Sequence, residues 1–213
     1  MAVLFMKRVA IVPLFDLYNY GNRLQNYALT LTLDRIGCRS CNIIKENKSV
    51  FIKYNIKQLL NPVLKVKDRD HNRNNLFWAF QKNIKTICFN DMNNAEFDYF
   101  VCGSDQIWHP RWSNSFLFLE FAPESKRIAF SASFGVSLLP EEVKAEYKKR
   151  LSEMKAISVR EETGASIVKE LTGKNVPVLI DPTLMLDKDD WRKVSKKPRF
   201  YRKSNLNYKR FGI

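Results

Sequence analysis

Short apolar runs alternate with segments of helical spacing along most of the chain. Apolar runs that end in Gly, Pro or small polar residues are typical of buried strands, and apolar residues three and four apart are typical of helices. The pattern predicts strands over residues 8–15, 40–44, 99–102, 126–134, 156–160 and 176–181. It predicts helices over residues 22–36, 140–154 and 162–172. This alternation favours an α/β fold, a Rossmann-like doubly wound parallel sheet with right-handed crossovers.

The first strand, the first helix and the second strand form a predicted βαβ unit. Four apolar residues of the helix lie at helical spacing: Leu24, Tyr27, Ala28 and Leu31. Gly37 follows as a helix-ending residue. The loop before the helix is polar and contains Gly21, so backbone N–H groups there can bind an anion. The alternative is an ordinary turn in which Asn22 caps the helix.

Two segments break this regularity. Residues 46–96 are rich in Asn and Lys, and we expect one or two helices and loops there. After Pro198 neither helical nor strand periodicity is left. We therefore expect a Rossmann-like N-terminal domain over residues 1–187. A basic linker or tail over residues 188–213 would follow it, truncated before a second domain.

The most informative segment is the apolar run 99–102 with the four residues after it, Gly103, Ser104, Asp105 and Gln106. Ligands of open parallel sheets bind at the carboxyl ends of the strands. Gly103 permits close approach of a ligand to the backbone, and the other three residues carry hydrogen-bonding groups. The alternative is a strand followed by a turn, with Asp105 capping the next element.

The net charge of +14 suggests an anionic partner, but its location argues against a specific one. From Lys188 onward the chain has ten basic and two acidic residues, so +8 of the +14 lies there. Such an end binds nucleic acid or anionic lipid nonspecifically. We expect no specific nucleic-acid partner.

Composition places the chain among soluble globular proteins. Apolar residues make up 45% of it, and no run is long enough for a membrane span. The apolar start carries Lys7 and Arg8 in its middle, so it is interpreted as a strand and not as a signal peptide. We expect a cytoplasmic protein with reduced cysteines.

Metal and nucleotide sites are weakly indicated. Cys38 and Cys41 have the spacing of a redox or zinc pair, but no second cysteine pair and no suitably spaced histidine pair accompanies them. The glycine patterns of dinucleotide-binding folds and of P-loops are absent. We expect neither a metal nor a cofactor.

Five segments in order resemble the polysaccharide pyruvyl transferase family. They are NYGNRLQNYAL (19–29), DYFVCGSDQIW (98–108), RIAFSASFG (127–135), ISVREETGA (157–165) and VLIDPTLML (178–186). The resemblance implies a fold like the N-terminal half of a two-domain transferase of the GT-B type. It implies transfer of a pyruvate ketal from phosphoenolpyruvate to a sugar of a cell-surface polysaccharide, as in exopolysaccharide biosynthesis.

The implied partners are thus phosphoenolpyruvate and a glycan acceptor, and the oligomeric state is left open. Similar family members carry an SFHG-like segment, and basic residues for phosphoenolpyruvate, in their second half. This chain has no such segment. We therefore expect an inactive or truncated half that contributes the acceptor side. A non-catalytic sugar- or nucleotide-binding Rossmann-like module is the alternative.

The predicted strand ends converge on one edge of the sheet and supply the candidate site. Asp105 is the candidate catalytic base or acceptor contact. The candidate substrate-binding residues are Asn19, Gly21, Asn22, Arg23, Gln25, Gly103, Ser104, Gln106, Ser133 and Arg160. Arg160 is either a ligand-binding cation or the partner of a nearby acid. Trp108 and Trp112 either stack on a sugar or pack in the core or at an interface.

Overall fold

Six parallel strands form one open sheet in the computed structural model, which describes residues 6–15, 19–45 and 76–196. They are β1 (Lys7–Val12), β2 (Cys38–Ile44), β3 (Thr86–Cys88), β4 (Tyr99–Cys102), β5 (Arg127–Ala132) and β6 (Ala156–Val159). Their order across the sheet is β3-β2-β1-β4-β5-β6. This is the strand order of a Rossmann-like doubly wound sheet, so the predicted fold class is confirmed.

Helices flank the sheet. They are α1 (Tyr20–Arg35), α2 (Glu141–Ser152), α3 (Glu162–Thr172) and α4 (Lys188–Val194). Residues 76–81 are also helical, and 3-10 turns cover Phe89–Asp91, Asn94–Glu96, Glu124–Lys126 and Pro182–Leu184. Because parallel strands are covered on both faces, the inner parts of the central strands, residues 9–12 of β1 and 99–102 of β4, are continuous apolar runs.

Each face of the sheet has its own packing layer. On one face, Leu29 and Leu33 of α1 pack against Val9, Ile11 and Val101 of β1 and β4. On the other face a larger core is rich in aromatic side chains, and its largest fully buried members are Trp108, Tyr147, Phe100, Phe118 and Phe134. The two layers leave the carboxyl edge of the sheet open for loops.

The start and the apolar face of α1 differ from the prediction. The helix begins at Tyr20, and Asn19, not Asn22, is its N-cap: the Asn19 side chain accepts a hydrogen bond from the Asn22 N–H at 3.2 Å. Leu24 is 38% exposed, whereas Leu29 is fully buried. The helix is rotated because its contact with β1 and β4 selects the face that fits the sheet, and polar residues at its start are buried with it.

Two strand predictions were wrong. Thr86–Cys88 forms β3 in a segment expected to hold helices and loops, because it pairs with β2 from Asn42 to Ile44. Residues 176–181 make only an isolated bridge, between Val178 and Val159. Pro177 has no N–H group for a ladder, so this segment cannot extend the sheet as a regular strand.

Residues 188–194, which the sequence division assigned to the tail, form the helix α4. Asp190 is buried and accepts a hydrogen bond from Arg35 of α1 at 2.5 Å. Trp191 packs against Tyr27 with 5.8 Å between ring centroids. The predictions for residues 46–75 and 199–213 lie outside the described residues. Among those that are described, no helix combines the length and the apolarity that a membrane crossing needs.

Candidate functional site

The candidate site lies where the strand order reverses direction, between β1 and β4. From β1 the chain continues to β2 on one side, and from β4 it continues to β5 on the other side. The loops that leave β1 and β4 therefore diverge and open a crevice at the carboxyl ends of these two strands. The loop after β1 runs to Asn19, and the loop after β4 holds Gly103 to Gln106. The structure therefore brings together the two polar segments that the sequence analysis selected.

Asp105 is held by contacts from three directions. Its Oδ2 accepts a hydrogen bond from Asn22 Nδ2, and its Oδ1 accepts one from the Gln106 N–H at 2.8 Å. Its main-chain oxygen accepts from the Ser133 N–H at 2.9 Å. The backbone is left-handed, with φ of 66°. The carboxylate is thus fixed in direction, and each oxygen keeps a lone pair for a further donor.

The Asp105 carboxylate lies on the wall of a hollow of about 310 Å³, called here the polar hollow. Its walls are Leu14, Phe15, Asn19, Asn22, Asp105, Gln106 and Trp112. Four of these are amide or carboxylate side chains and one is an exposed indole. Such a wall can match the hydroxyl groups of a sugar with donors and acceptors and its ring face with an aromatic surface.

Gly21, Arg23 and Ser133, three of the predicted site residues, do not themselves line the polar hollow and have structural contacts instead. A Cβ on Gly21 would lie 3.1 Å from the Asn19 side-chain oxygen. Arg23 donates to Gln81 and lies 4.0 Å from the centre of the Phe15 ring. Ser133 is buried and accepts from the Gly135 N–H at 3.1 Å. A direct contact of these residues with substrate stays a prediction.

Gln25, Ser104 and Arg160 converge on a residue that the sequence analysis did not select, Asp181. Its Oδ2 accepts hydrogen bonds from Gln25 Nε2, from Ser104 Oγ at 3.2 Å and from Arg160 at 3.1 Å. Its Oδ1 accepts two more from the Thr183 N–H and hydroxyl, at 2.9 and 2.7 Å. Asp181 thus ties α1 to the loops after β4 and β6. It follows an apolar run as Asp105 does, and that signal could have found it.

Arg160 is paired with acidic side chains, as one of the two hypotheses for it predicted. Besides Asp181, it lies 3.6 Å from the carboxylate of Glu161. Burial alone would raise the pKa of Asp181, but the hydrogen bonds from Thr183, Gln25 and Arg160 outweigh it and lower that pKa below its ordinary value. Asp181 is therefore ionised at neutral pH. A ligand-binding role of Arg160 stays a prediction.

We expect Asp181→Asn to destabilise the protein by about 2 kcal/mol at pH 7, because an amide replaces a charged acceptor and turns an N–H group toward other donors. Urea unfolding measures the loss. The pKa of Asp181 is lower in the folded protein than in the unfolded chain. The contribution of its charge to the free energy of unfolding is therefore complete above the unfolded pKa of about 4, and it is lost as pH falls through the folded pKa. The difference between wild type and variant should therefore shrink below about pH 4.

The matched control is Asp189→Asn, since Asp189 is exposed and pairs with Arg192 in a surface contact. This variant should stay within about 0.5 kcal/mol of wild type at every pH. Equal losses in the two variants would contradict the role of Asp181 as a link between α1 and the strand ends.

The two candidate tryptophans differ in position: Trp108 lies in the core, whereas Trp112 lies at the surface beside His109. Trp108 is fully buried and stacks on Phe118, so it packs in the core. Trp112 is 40% exposed and stacks on His109 with 4.0 Å between ring centroids. His109 Nδ1 accepts from the Arg111 N–H at 3.1 Å. Burial, with the Arg111 charge, lowers the His109 pKa, so at neutral pH its Nε2 carries the proton and can donate.

The part of the chain that the structure describes contains no group of three or more His, Cys, Asp or Glu side chains that could hold a metal ion. All four cysteines are free thiols, and the pKa of the buried Cys102 is raised to about 12 by burial. Cys102 is therefore a core residue and not a nucleophile.

Comparison with known proteins decides the family. The family model for polysaccharide pyruvyl transferase matches residues 19–213 of the chain. The chain belongs to the polysaccharide pyruvyl transferase family. No curated protein and no solved structure matches it.

The match begins at Asn19, the N-cap of α1, and covers the polar hollow from there onward. A polysaccharide pyruvyl transferase-like function follows from the family, and with it a polysaccharide acceptor.

Proposed function

We propose that the polar hollow binds the acceptor sugar of a pyruvyl transfer from phosphoenolpyruvate. The observation that carries this proposal is the placement of the Asp105 carboxylate, held by Asn22 and by the Gln106 N–H on the wall of a hollow at the strand-order reversal. An oriented carboxylate beside amides is what a sugar hydroxyl needs for a directed hydrogen bond. The fixed orientation lowers the cost of binding.

In this reaction Asp105 accepts the proton of the attacking sugar hydroxyl. The hydroxyl oxygen forms a bond to the carbon of phosphoenolpyruvate that bears the phosphate, while the methylene carbon gains a proton and becomes the methyl group. A second hydroxyl then attacks the same carbon as its C–O bond to phosphate breaks, and the proton of this hydroxyl leaves with the phosphate. The methylene carbon takes its proton from solvent, to which Asp105 returns the first one. A carboxylate in hydrogen-bond contact with the hydroxyl is the requirement that this chain meets.

The residues described support the acceptor side more than the donor side. Phosphoenolpyruvate needs fixed cations, and at this edge Arg160 is paired with Asp181 and Glu161. Among the residues that the structure describes, no Lys or Arg side chain lines the polar hollow. We therefore assign these residues to the acceptor and propose a GT-B-like arrangement in which the donor contacts come from elsewhere.

The setting proposed for this function is exopolysaccharide biosynthesis in the cytoplasm. All four cysteines are free, including the partly exposed Cys38 and Cys88, which agrees with a reducing compartment. The acceptor would be a polysaccharide or one of its building units before export.

The test is binding of methyl glycosides by the 213-residue chain, followed in NMR spectra through side-chain amide signals. A panel of galactose, glucose, mannose and their N-acetylamino forms covers common polysaccharide sugars. We expect at least one glycoside to shift the signals of Asn19, Asn22 and Gln106. The amide of Asn83, whose Nδ2 donates to the Phe80 oxygen remote from the hollow, is the internal control.

If no member of the panel shifts these signals, the acceptor proposal is wrong. Phosphoenolpyruvate is then added and the glycosides are analysed by mass spectrometry. Because the donor contacts come from elsewhere, the 213-residue chain by itself is expected to bind the sugar without changing its mass. A sugar that binds here at Asn22 but gains no ketal from an active family member with the same Gly-Ser-Asp-Gln segment would favour the non-catalytic sugar-binding module instead.

A further inference from the structure

A second hollow adjoins the polar hollow. It has a volume of about 240 Å³ and is called here the apolar hollow. Its walls are Pro13, Leu14, Phe15, Ile43, Ile44, Lys45, Trp112, Asn114, Phe116 and Leu117. Seven of these ten are aliphatic or phenyl side chains, and the polar hollow has only two of that kind. The two hollows are therefore chemically different.

Leu14, Phe15 and Trp112 line both hollows. Trp112 is 40% exposed and its Nε1 donates to the Gln106 oxygen at 2.9 Å, which fixes the indole between the two spaces. A ligand bound in one hollow thus touches the wall of the other. The two spaces are therefore adjacent, one polar and one apolar.

The far wall of the apolar hollow is held by the core. The Asn114 side-chain oxygen accepts from the N–H groups of Phe116 and Leu117, at 3.0 and 3.3 Å. Phe116 packs edge to face on Phe89, with 5.2 Å between centroids. These contacts set the position of the wall without a ligand, so binding there needs little rearrangement.

We propose that the apolar hollow binds an apolar substituent, an alkyl or aryl aglycone, attached to the acceptor sugar in the polar hollow. The proposal rests on the proposed function. A sugar ring in the apolar hollow would leave hydroxyl groups without partners against Pro13, Ile43 and Leu117, which is costly. An alkyl or aryl group loses no hydrogen bonds there and gains apolar burial. Lys45 and Asn114 are the polar members of the wall.

The experiment compares methyl and octyl glycosides of each sugar in the panel, below the micelle concentration, with the 213-residue chain. Burial of two or three methylene groups is worth about a tenfold gain in affinity. We therefore expect octyl glycosides to bind at least about tenfold tighter than methyl glycosides of the same sugar. In methyl-labelled protein the octyl chain should shift the signals of Ile44 and Leu117, while the Asn22 amide shifts with both ligands.

Three outcomes overturn the inference. In the first, the methyl glycoside binds at the Asn22 amide and the octyl glycoside binds no tighter, which shows an acceptor site without an aglycone site. An octyl chain that shifts Leu24 and Val194 instead of Ile44 occupies the separate groove beside α1 that these residues line. If neither form binds, the proposed function fails together with the inference. The first two outcomes leave the proposed function intact.

A variant at the rim supplies an independent check. Lys45 is exposed and lines the apolar hollow but not the polar one, so Lys45→Asp puts a carboxylate where a bound alkyl chain would desolvate it. We expect the ratio of octyl to methyl affinity to fall at least threefold, about 0.7 kcal/mol. Lys149→Asp makes the same charge change on the exposed side of α2 and should leave the preference as it is. Equal behaviour of the two variants counts against the inference.

Discussion

Asp105→Asn is expected to lower the affinity of the chain for its acceptor glycoside about tenfold, since a hydrogen bond to a charged acceptor becomes one to a neutral amide. In an active family member with the same Gly-Ser-Asp-Gln segment, the matching change should reduce turnover at least about 100-fold, because the proton acceptor is lost. The melting temperature should change by no more than about 3 °C. Loss of function with retained stability is the expected signature.

Asparagine is the informative replacement because the structure shows that Asp105 is also a turn residue. Its Oδ1 accepts from the Gln106 N–H, and asparagine keeps such an acceptor. The new Nδ2 would face the Asn22 amide, which can turn its own oxygen toward it. Its backbone φ of 66° is in the region that asparagine adopts readily. Alanine would lose both the acceptor and this tolerance. The sequence analysis treated capping and function as alternatives, but the geometry permits both at once.

Glycoside titration, turnover assays and thermal unfolding of the same variant provide the measurement. Asp98→Asn is the matched control, since Asp98 lies just before β4, at the opposite end of the same strand, where it accepts from the Arg8 N–H at 2.9 Å and pairs with Lys7 at 3.0 Å. It should leave glycoside affinity unchanged. An Asp105→Asn protein that is destabilised but binds and turns over normally would show that Asp105 serves only the turn.

Gly103→Ala is expected to destabilise the protein by about 3 kcal/mol or more. Gly103 has φ of 119°, and a Cβ there would lie 2.1 Å from the main-chain oxygen of Phe130 in β5. Neither atom belongs to a flexible side chain, so relief requires movement of β4 relative to β5. The midpoint of urea unfolding measures the loss, and the glycoside-binding signals of Gln106 should weaken with it.

Gly173→Ala separates backbone strain from this clash. Gly173 ends α3 with φ of 74°, and a Cβ there would meet no atom within 4 Å. Only the left-handed conformation is penalised, by about 1 kcal/mol. If Gly103→Ala costs no more than Gly173→Ala, the close approach of Gly103 to β5 does not constrain the strand end.

Local patterns were sufficient where an element is defined by its own residues. The helix α3 was predicted with the bounds observed, because its apolar face, its acidic first turn and Gly173 are all encoded within it. The strands β4 and β6 were predicted from short apolar runs that parallel sheets require. The prediction that their carboxyl ends share one edge of the sheet followed from the parallel direction that the crossovers impose.

By itself, therefore, the sequence determined the fold class, most of the elements and the two polar segments of the candidate site. The tertiary structure alone decided how they meet. Asn22 reaches Asp105 across 83 residues, and Gln25 reaches Asp181 across 156. The strand β3 exists through its pairing with β2, and Trp108 differs from Trp112 only in what surrounds it. Periodicity records the environment of a residue along one element, whereas these features depend on partners far away in the chain.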